Sequence, residues 1–420
     1  MNLRFLHLHK WNHDNFINDF ILKNNLYKLS SVKLDNRIFD FNFYYGNSLT
    51  KNLHQQGYTT KDIVVDNHLS NENWFSENFH NKNYSYEEKL LKRIIDFDPH
   101  IIFFQDISTL SQKLLLNLSE KLKNLKLKIV SVGFPVDNHK VYELYDLIIF
   151  RYPELYDEMK NKTKNSVMLY HSFNNFIYDK FKLKEFNLRN NLVNFSGSAT
   201  GINHNNHKKR YYYLNKILQN KKINVSLSEN INKDQMKRYY ISKIYRLIPK
   251  IFRKFFINIC DNKKITNKLN NFFSRLKNFN NNFDNDKYFY HGPLTKIHNL
   301  KSELIYGNNL FSKILNTKIS LNIHTEKLKN NVANVRMFEI TGCGSCMFVE
   351  NRVNIEDLFD KKKEVVTYDN IEDLIDKITF YSNNLEITEK IAFNGYEKTR
   401  KLHTTKNRAI EIDKIVKKLI

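Results

Sequence analysis

The sequence N-V-A-N-V-R-M-F-E-I-T-G-C-G-S-C-M-F-V-E, residues 331–350, decides the fold of the second half of the chain. Asn334 is a residue type that caps helix N-termini through its side-chain oxygen, and Arg336 and Glu339 follow about one turn apart. Two glycines then end the helix, and the apolar run 347–349 is typical of a strand covered on both faces. The stretch therefore predicts a short helix, a glycine turn and a buried strand.

The same stretch carries groups that suit a nucleotide. A helix N-terminus with free N–H groups and a nearby arginine, Arg336, can bind a diphosphate. Glu339, one turn further on, can accept two ribose hydroxyls, and Gly342 and Gly344 allow a ligand to approach the backbone closely. An ordinary helix with an exposed salt bridge and a glycine cap also explains these residues, so both interpretations remain open at this point.

Short apolar strands alternate with helices along most of the chain, which predicts an α/β fold built from βαβ units and parallel sheets. Ligands of such sheets lie beyond the carboxyl ends of the strands. In the first half we expect strands at 3–9, 62–65, 101–104, 128–132, 146–150 and 166–169, and helices at 43–54, 86–97 and 110–125. In the second half we expect strands at 191–195 and 320–324, and helices at 207–218 and 405–420.

Several motifs resemble the spore-maturation-type (CgeB-like) family of GT-B glycosyltransferases, which has a "glycosyl transferases group 1"-like C-terminal domain. They are G-Y-x-x-x-D-I-V-V-D-N at 57–67, S-L-N-I-H at 320–324, R-M-F-E-I-T-G-C-G at 336–344, K-K-E-V-V-T-Y-D at 362–369 and I-A-F-N-G-Y-E-K-T-R at 391–400. A fixed order of motifs over roughly a hundred residues is more specific than a lone glycine-rich turn. The resemblance implies the GT-B fold, in which two Rossmann-like domains face a central cleft and a C-terminal helix crosses back to the first domain.

The expected domain boundaries follow from this resemblance. Residues 1–185 form an acceptor domain, residues 186–404 form a donor domain, and residues 405–420 form the returning helix. A basic insertion at about 230–285 interrupts the family pattern. Within the insertion, basic residues alternate with apolar ones at helical spacing at 239–259, which predicts an amphipathic helix suited to a membrane interface.

The resemblance also implies which residues bind the donor. Glu339 inherits the ribose contact by position, and the S-G-S turn followed by a basic helix start makes a second phosphate-facing site. The expected donor-binding residues are Gly197, Arg210, Asn322, His324, Arg336, Glu339, Gly342 and Gly344. Many related enzymes carry a second glutamate eight residues before the first one, where this chain has Asn331. Glu326 in the preceding loop could substitute for it.

Two residues are candidates for catalysis. Asp106 ends the strand I-I-F-F-Q-D and should point into the crevice as a base or as an acceptor-orienting group. An N-cap of the following helix, or a contact in the loop before it, explains Asp106 equally well. His171 is expected near the hinge, and His13 and Asp14 are a second choice. Lone histidines are usually structural, and the chain has fifteen.

The amino-acid composition indicates which kinds of partner and metal site the protein is expected to have. The formal net charge of +23 suggests nucleic acid or a membrane surface, but Lys, Asn, Ile and Phe are used heavily throughout, so the charge is spread along the chain. Cys343 and Cys346 close a helix and enter a strand, so we expect small buried residues and no redox pair or zinc site. The D-x-D at 284–286 follows no expected strand, so no metal role is assigned to it.

The resemblance implies a glycosyltransferase that moves a sugar from a nucleotide-activated donor to a hydroxyl acceptor in surface polysaccharide or glycoconjugate synthesis. We expect no cofactor, no metal and no nucleic-acid partner, and a glycan or lipid-linked acceptor. No signal peptide or apolar span is apparent, which predicts a cytoplasmic enzyme that can rest on an anionic membrane surface. A non-catalytic nucleotide-sugar-binding protein and a basic membrane- or nucleic-acid-binding protein are the alternatives.

Overall fold

The structure is a computed structural model, and it describes residues 3–12, 14–43, 45–80, 83–197, 208–219, 225–227, 305–325 and 330–420. The basic insertion expected at 230–285, its D-x-D, His13 and Glu326 lie outside these residues. The described residues form two parallel sheets with helices packed on them.

The first half of the chain forms a six-stranded sheet in the order β2-β1-β3-β4-β5-β6. All neighbouring strands are parallel. The strands are β1 Arg4–His9, β2 Thr59–Val64, β3 Ile101–Phe104, β4 Leu127–Val132, β5 Leu147–Phe150 and β6 Ser166–Met168. The strand expected at 101–104 is confirmed with those bounds. The other five are present with ends shifted by one to three residues.

Helices cover both faces of this sheet. They are α1 Asp14–Lys23, α2 Ser31–Asp40, α3 Ser48–His54, α4 His68–Asn78, α5 Tyr86–Phe97, α6 Gln112–Lys121, α7 Pro153–Met159 and α8 Ile177–Lys180. The helix α5 matches its expected bounds because Ser85 and Glu88 form a capping box at its start. The helix expected at 43–54 is wrong at its start. Asn42 and Gly46 adopt positive φ, so the chain turns before Ser48.

The second half forms a five-stranded sheet in the order β11-β10-β9-β7-β8, again with parallel neighbours. Its strands are β7 Asn191–Phe195, β8 Val225–Leu227, β9 Thr317–Asn322, β10 Cys346–Glu350 and β11 Val366–Tyr368. Its helices are α9 Lys208–Gln219, α10 Gly307–Leu315, α11 Val335–Gly342, α12 Ile355–Leu358, α13 Ile371–Asn383 and α14 Leu385–Leu402. The helix, turn and strand expected at 331–350 are therefore confirmed as α11 and β10.

The last helix, α15 Thr405–Leu419, packs against the first sheet and α3. Its apolar residues Ala409, Ile412 and Val416 join the core around Phe5. The chain segment between the sheets and the end of α14 are also joined, because the backbone N–H of Phe173 donates to the carbonyl oxygen of His403 at 2.7 Å. Within the described part of the chain, we find no helix with the length and apolar character needed to cross a bilayer.

Candidate functional site

The start of α11 is fixed to the end of β9 by a pair of amide side chains. The Oδ1 of Asn334 accepts the N–H of Met337 at 3.2 Å, as an N-cap does. The Nδ2 of Asn334 donates to the Oδ1 of Asn322 at 2.9 Å, and the Nδ2 of Asn322 donates back at 3.1 Å. The arrangement holds the N-terminus of α11 at the carboxyl end of β9, and helix N-termini in such positions are suited to binding anions.

A cavity of about 270 Å³ opens in front of this helix start. Its lining residues come from both halves of the chain. They are Phe134, Tyr152, Phe195, Ser196, Gly197, Arg210, Asn322, Ile323, His324, Thr325, Asn334, Val335 and Arg336. The structure thus brings five expected donor residues together, and Phe134 and Tyr152 add a wall from the first half that sequence reasoning missed. We refer to this space as the donor cavity.

Two arginines give the donor cavity its charge. The Nε of Arg210, on α9, donates to the carbonyl oxygen of Ile323 at 2.6 Å, which fixes the guanidinium beside the end of β9. A Cβ at Gly197 would lie 3.2 Å from the ring of Phe195 and 3.8 Å from the Nη1 of Arg210, so the glycine turn lies close to both side chains. Arg336, on α11, is the second arginine of the lining. No aspartate or glutamate is found among the described residues that line the cavity.

Glu339 lies behind Arg336 and outside the lining of the donor cavity. Its Oε2 lies 2.6 Å from the Nη1 of Arg336, and its side chain is 8% exposed. Burial raises the pKa of Glu339, and the charge of Arg336 opposes that shift. In the structure this carboxylate therefore contacts the arginine, and a ribose contact would require the pair to open.

His324 is a buried residue in the wall of the donor cavity. Neither ring nitrogen has a hydrogen-bond partner, and burial lowers its pKa to about 3. Its backbone N–H donates to the Oε1 of Glu350 at 3.1 Å, and the Oε2 of Glu350 lies 2.8 Å from the Nζ of Lys209. Burial acts to raise the pKa of Glu350, but the charges of Lys209 and Arg352 outweigh it and hold the pKa below its ordinary value. Because its own pKa is about 3, the ring of His324 is neutral at neutral pH.

Gly342 and Gly344 lie at the far end of α11 from the donor cavity. A Cβ at Gly342 would lie 2.4 Å from the ring of Phe173, and one at Gly344 would lie 2.7 Å from Leu183. Gly344 also has a φ of +68°. These glycines give close packing against the segment that joins the two sheets, and neither lines the donor cavity. The expected donor contact at this end of the helix is therefore replaced by a packing role.

The two cysteines of this turn are small buried residues, as expected. Cys343 and Cys346 are both free thiols and are 1% and 0% exposed. Burial raises the pKa of each thiol. A buried neutral thiol is a poor nucleophile and a poor metal ligand, so these groups belong to the core.

A second cavity of about 310 Å³ continues from the donor cavity into the first half of the chain. The two share the lining residues Phe134, Tyr152, Asn334 and Val335. Asp106 and His171, the two expected catalytic residues, both line the second cavity. We refer to this space as the acceptor-side cavity, since it leads away from the donor cavity along the carboxyl ends of the first sheet.

Asp106 lines the acceptor-side cavity and also stabilises its own loop. Its Oδ1 accepts the N–H of Ser108 at 2.6 Å and the hydroxyl of Ser108 at 2.7 Å. The cap of the following helix is Ser111, whose hydroxyl accepts the N–H of Leu114 at 3.3 Å. The N-cap alternative for Asp106 is therefore wrong, and the loop-contact alternative is confirmed.

His171 lies in the wall of the same cavity and is held by a tyrosine. Its Nδ1 lies 2.5 Å from the hydroxyl oxygen of Tyr45. Burial, and next the charges of Arg151 and Arg408, lower the pKa of His171 well below its ordinary value. The ring is therefore neutral and a weak base, and a neutral imidazole of this kind can orient a hydroxyl by hydrogen bonding.

Asn331, which stands where many related enzymes have a glutamate, contacts the other half of the chain. Its Nδ2 donates to the Oε2 of Glu154 at 3.4 Å. This side chain is 8% exposed and is absent from the lining of the donor cavity. The amide therefore bridges the two halves at the cleft edge.

Comparison with known proteins gives the fold. The model of the family "Glycosyl transferase-like" matches residues 275–414, which is less than half of the chain. A glycosyltransferase from Rickettsia africae has a TM-score of 0.56 at 11% identity, over 100% of this chain and 98% of the other. HepE from Anabaena, solved with UDP-glucose, has a TM-score of 0.51 at 10% identity, over 99% and 100%.

A third solved structure, sucrose-phosphate synthase from Thermosynechococcus elongatus, has a TM-score of 0.53 at 8% identity, over 100% and 99%. A sequence comparison with curated proteins finds no match. Likeness at this identity shows the fold, and the fold is the GT-B arrangement of two Rossmann-like domains.

Proposed function

We propose that this protein is a glycosyltransferase that takes its sugar from a nucleoside-diphosphate donor bound in the donor cavity. The observation that carries the proposal is that Arg210 and Arg336 both line the cavity at the start of α11, and that no described residue of this lining is a carboxylate. Guanidinium groups and helix N-termini are the protein groups best suited to a diphosphate. The matched family model and a fold shared with HepE, which was solved with UDP-glucose, support a uridine nucleotide as the first donor to test.

The proposed reaction uses both cavities. The bond between the anomeric carbon and the diphosphate oxygen breaks, and a hydroxyl oxygen of the acceptor forms the new bond to that carbon. The negative charge left on the diphosphate is stabilised by Arg210, Arg336 and the helix start. The proton of the acceptor hydroxyl passes to Asp106 or to the departing phosphate, and His171 orients the acceptor.

We propose that no metal bridges the donor diphosphate. Metal-dependent transferases hold their cation with carboxylates, and the described lining of the donor cavity carries none. The two guanidinium groups are suited to binding phosphate oxygens, so they supply the electrostatic stabilisation that a cation would otherwise bring.

A non-catalytic nucleotide-sugar-binding protein is the second candidate. The observation that favours it is Asn331, an amide bonded to Glu154 at the place where many related enzymes have a free glutamate. Such a protein would bind the same nucleotides but would not break the glycosidic bond of the donor. Slow hydrolysis of the nucleotide sugar therefore distinguishes the two candidates.

The acceptor side of the proposal rests on sequence. We propose a glycan or lipid-linked hydroxyl in surface polysaccharide or glycoconjugate synthesis, at the inner face of a membrane. The support is the net charge of +23 and the basic, apolar-spaced segment at 239–259, which lies outside the described residues.

A thermal-shift screen against uridine, guanosine, adenosine and thymidine diphosphates tests the proposal first. A ligand that binds only the native state at 100 times its Kd stabilises that state by about 2.7 kcal/mol. We expect one nucleotide to raise the melting temperature and its sugar conjugates to be slowly hydrolysed. No shift with any of these nucleotides would contradict the proposal. A shift without any hydrolysis or transfer would favour the non-catalytic candidate.

A further inference from the structure

Two histidines and an aspartate meet on one face of the first sheet, beside the acceptor-side cavity. His7 and His9 are two residues apart on β1, so their side chains point to the same face. Asp62 is the register partner of His7 on the neighbouring strand β2. Adjacent strands lie about 4.8 Å apart, so the three side chains are direct neighbours.

The distances among the three groups suit a shared ion. The Nε2 of His9 lies 2.8 Å from the Oδ1 of Asp62, and the Nδ1 of His7 lies 3.7 Å from the same oxygen. One ligand atom from each residue lies within 4.8 Å of the others. Ligands at 2.0–2.1 Å around a tetrahedral zinc ion are about 3.3 Å from each other, so these separations bracket the required value.

His7 is a buried residue of this cluster whose ring has no hydrogen bond within the protein. It is 5% exposed, and neither of its ring nitrogens has a hydrogen-bond partner. Leaving a buried polar group unpaired costs about 1–3 kcal/mol, and a bound ion is one partner that would remove this cost. Imidazole nitrogens are common metal ligands.

The surroundings of the cluster complete a metal site. The hydroxyl of Thr50 donates to the Oδ2 of Asp62 at 2.5 Å, which orients the carboxylate and directs its Oδ1 toward the histidines. His7 and His9 both line the acceptor-side cavity, so a metal bound to them has a coordination position open to it. Three protein ligands with one open position is the arrangement found in catalytic zinc sites.

We infer that His7, His9 and Asp62 bind one divalent transition-metal ion, with Zn²⁺ as the ion that two imidazoles and one carboxylate fit. The metal would replace the hydrogen bond between His9 and Asp62, and the distance between the Nε2 of His9 and the Oδ1 of Asp62 would increase by roughly 0.5 Å. The open position takes an oxygen ligand from the cavity, either water or a hydroxyl. Metal binding at this site does not depend on the proposed function. Only the idea that the oxygen ligand at the open position is the hydroxyl of a sugar acceptor rests on the proposed function.

Zinc binding to the full chain tests the inference. The protein is treated with chelator, desalted and titrated with Zn²⁺ in competition with a chromophoric chelator at neutral pH. We expect one high-affinity equivalent per chain. His7→Ala, His9→Ala and Asp62→Asn should each weaken binding by more than the 10–100-fold typical of losing an outer-shell partner, and Thr50→Val by about that amount. His80→Ala, a change at an exposed histidine, is the matched control and should bind as wild type does.

Cobalt provides an independent readout of geometry. Co²⁺ bound at this site should give the intense visible bands of a four-coordinate complex, and these bands should disappear in His7→Ala. Zinc should also raise the melting temperature of the wild type and of His80→Ala, but not of the three ligand variants. Melting temperatures measured in chelator show whether each variant is folded.

The outcomes separate the inference from the proposed function. No tight zinc equivalent, or equal zinc affinity in wild type and all three ligand variants, would overturn the inference. Nucleotide affinity is measured on the same samples and should be unchanged in the three variants, since the donor cavity does not include these residues. Zinc binding with no nucleotide binding would count against the proposed function alone.

Discussion

The guanidinium Nη1 of Arg336 lies 2.6 Å from the carboxylate Oε2 of Glu339, one turn further along α11, yet neither atom makes a hydrogen bond. The arginine is 22% exposed at the cavity and the glutamate is 8% exposed behind it. Separating a buried ion pair leaves a buried charge without compensation, so the pair can open only where another charged or polar partner takes its place. A diphosphate entering the donor cavity would offer Arg336 a more strongly charged partner, and it would free the carboxylate for a neighbouring hydroxyl.

The first prediction is that Arg336 carries much of the nucleotide affinity. Arg336→Ala removes a charge-assisted contact with the diphosphate, so calorimetry should show affinity lower by about 10–100-fold, or roughly 1.5–3 kcal/mol. Arg400→Ala, which removes an exposed arginine from α14, is the matched control and should bind normally. Equal affinity of Arg336→Ala and wild type for every nucleotide would show that the diphosphate lies elsewhere.

The second prediction concerns metal on the donor. Because the described lining of the donor cavity has two arginines and no carboxylate, nucleotide affinity should be the same in chelator as in magnesium or manganese. Arg210→Ala should then become sensitive to magnesium, since an added cation can replace part of the lost charge. Loss of wild-type nucleotide binding in chelator, restored by magnesium, would contradict this prediction.

The third prediction is a pH dependence of stability that comes from His324. Its folded-state pKa, about 3, lies below the unfolded value of about 6.5, so its contribution is present above pH 6.5 and is lost as the pH falls toward 3. Between pH 7 and pH 5 the free energy of unfolding should fall by about 2 kcal/mol from this residue.

His324→Gln removes the titrating group, so denaturant unfolding of this variant should show a shallower loss of stability over the same pH range. The exposed His80→Gln change controls for the loss of a histidine as such. Parallel curves for wild type and His324→Gln would mean that the buried ring is not held neutral.

The fourth prediction concerns the glycine that the sequence suggests as a ligand contact. A Cβ at Gly342 would lie 2.4 Å from the ring of Phe173, which is fully buried. Gly342→Ala should lower the free energy of unfolding by about 1–3 kcal/mol through overpacking. Gly133→Ala is the control, because no atom lies within 4 Å of the added methyl group. Reduced nucleotide affinity at unchanged stability would instead support the donor contact.

Local chemistry explains why the region 331–350 could be predicted from sequence. Asn334 caps its helix with its own side chain, and Gly344 adopts the positive φ that its position requires. The apolar strand β10 follows within two residues. Each of these features depends on neighbours in sequence, so propensity and pattern suffice for them.

Features that depend on distant packing could not be predicted. Tyr152 reaches the donor cavity from the opposite half of the chain, and nothing near it in sequence indicates that contact. The ring of Phe173 leaves no room for a Cβ at Gly342, and Phe173 lies far away in sequence. The sequence of β1 shows that His7 and His9 share one face of the strand. Their contact with Asp62, however, depends on the register between β1 and β2.

The last prediction concerns the membrane. The segment 239–259 carries Arg246, Lys250, Arg253 and Lys254 among aromatic and aliphatic residues at helical spacing. Each basic residue near an anionic bilayer contributes up to about 1 kcal/mol, so the protein should cosediment with vesicles that contain phosphatidylserine and should remain in solution with neutral ones. Changing these four residues to glutamate should abolish cosedimentation.

The control changes Lys140, Lys160, Lys363 and Lys401, all exposed elsewhere, to glutamate and lowers the net charge of +23 by the same amount. If binding depended on overall charge, both variants would lose it equally, and if the segment packs on the protein, neither would bind less than wild type. Loss in the first variant alone would identify the segment as the membrane contact.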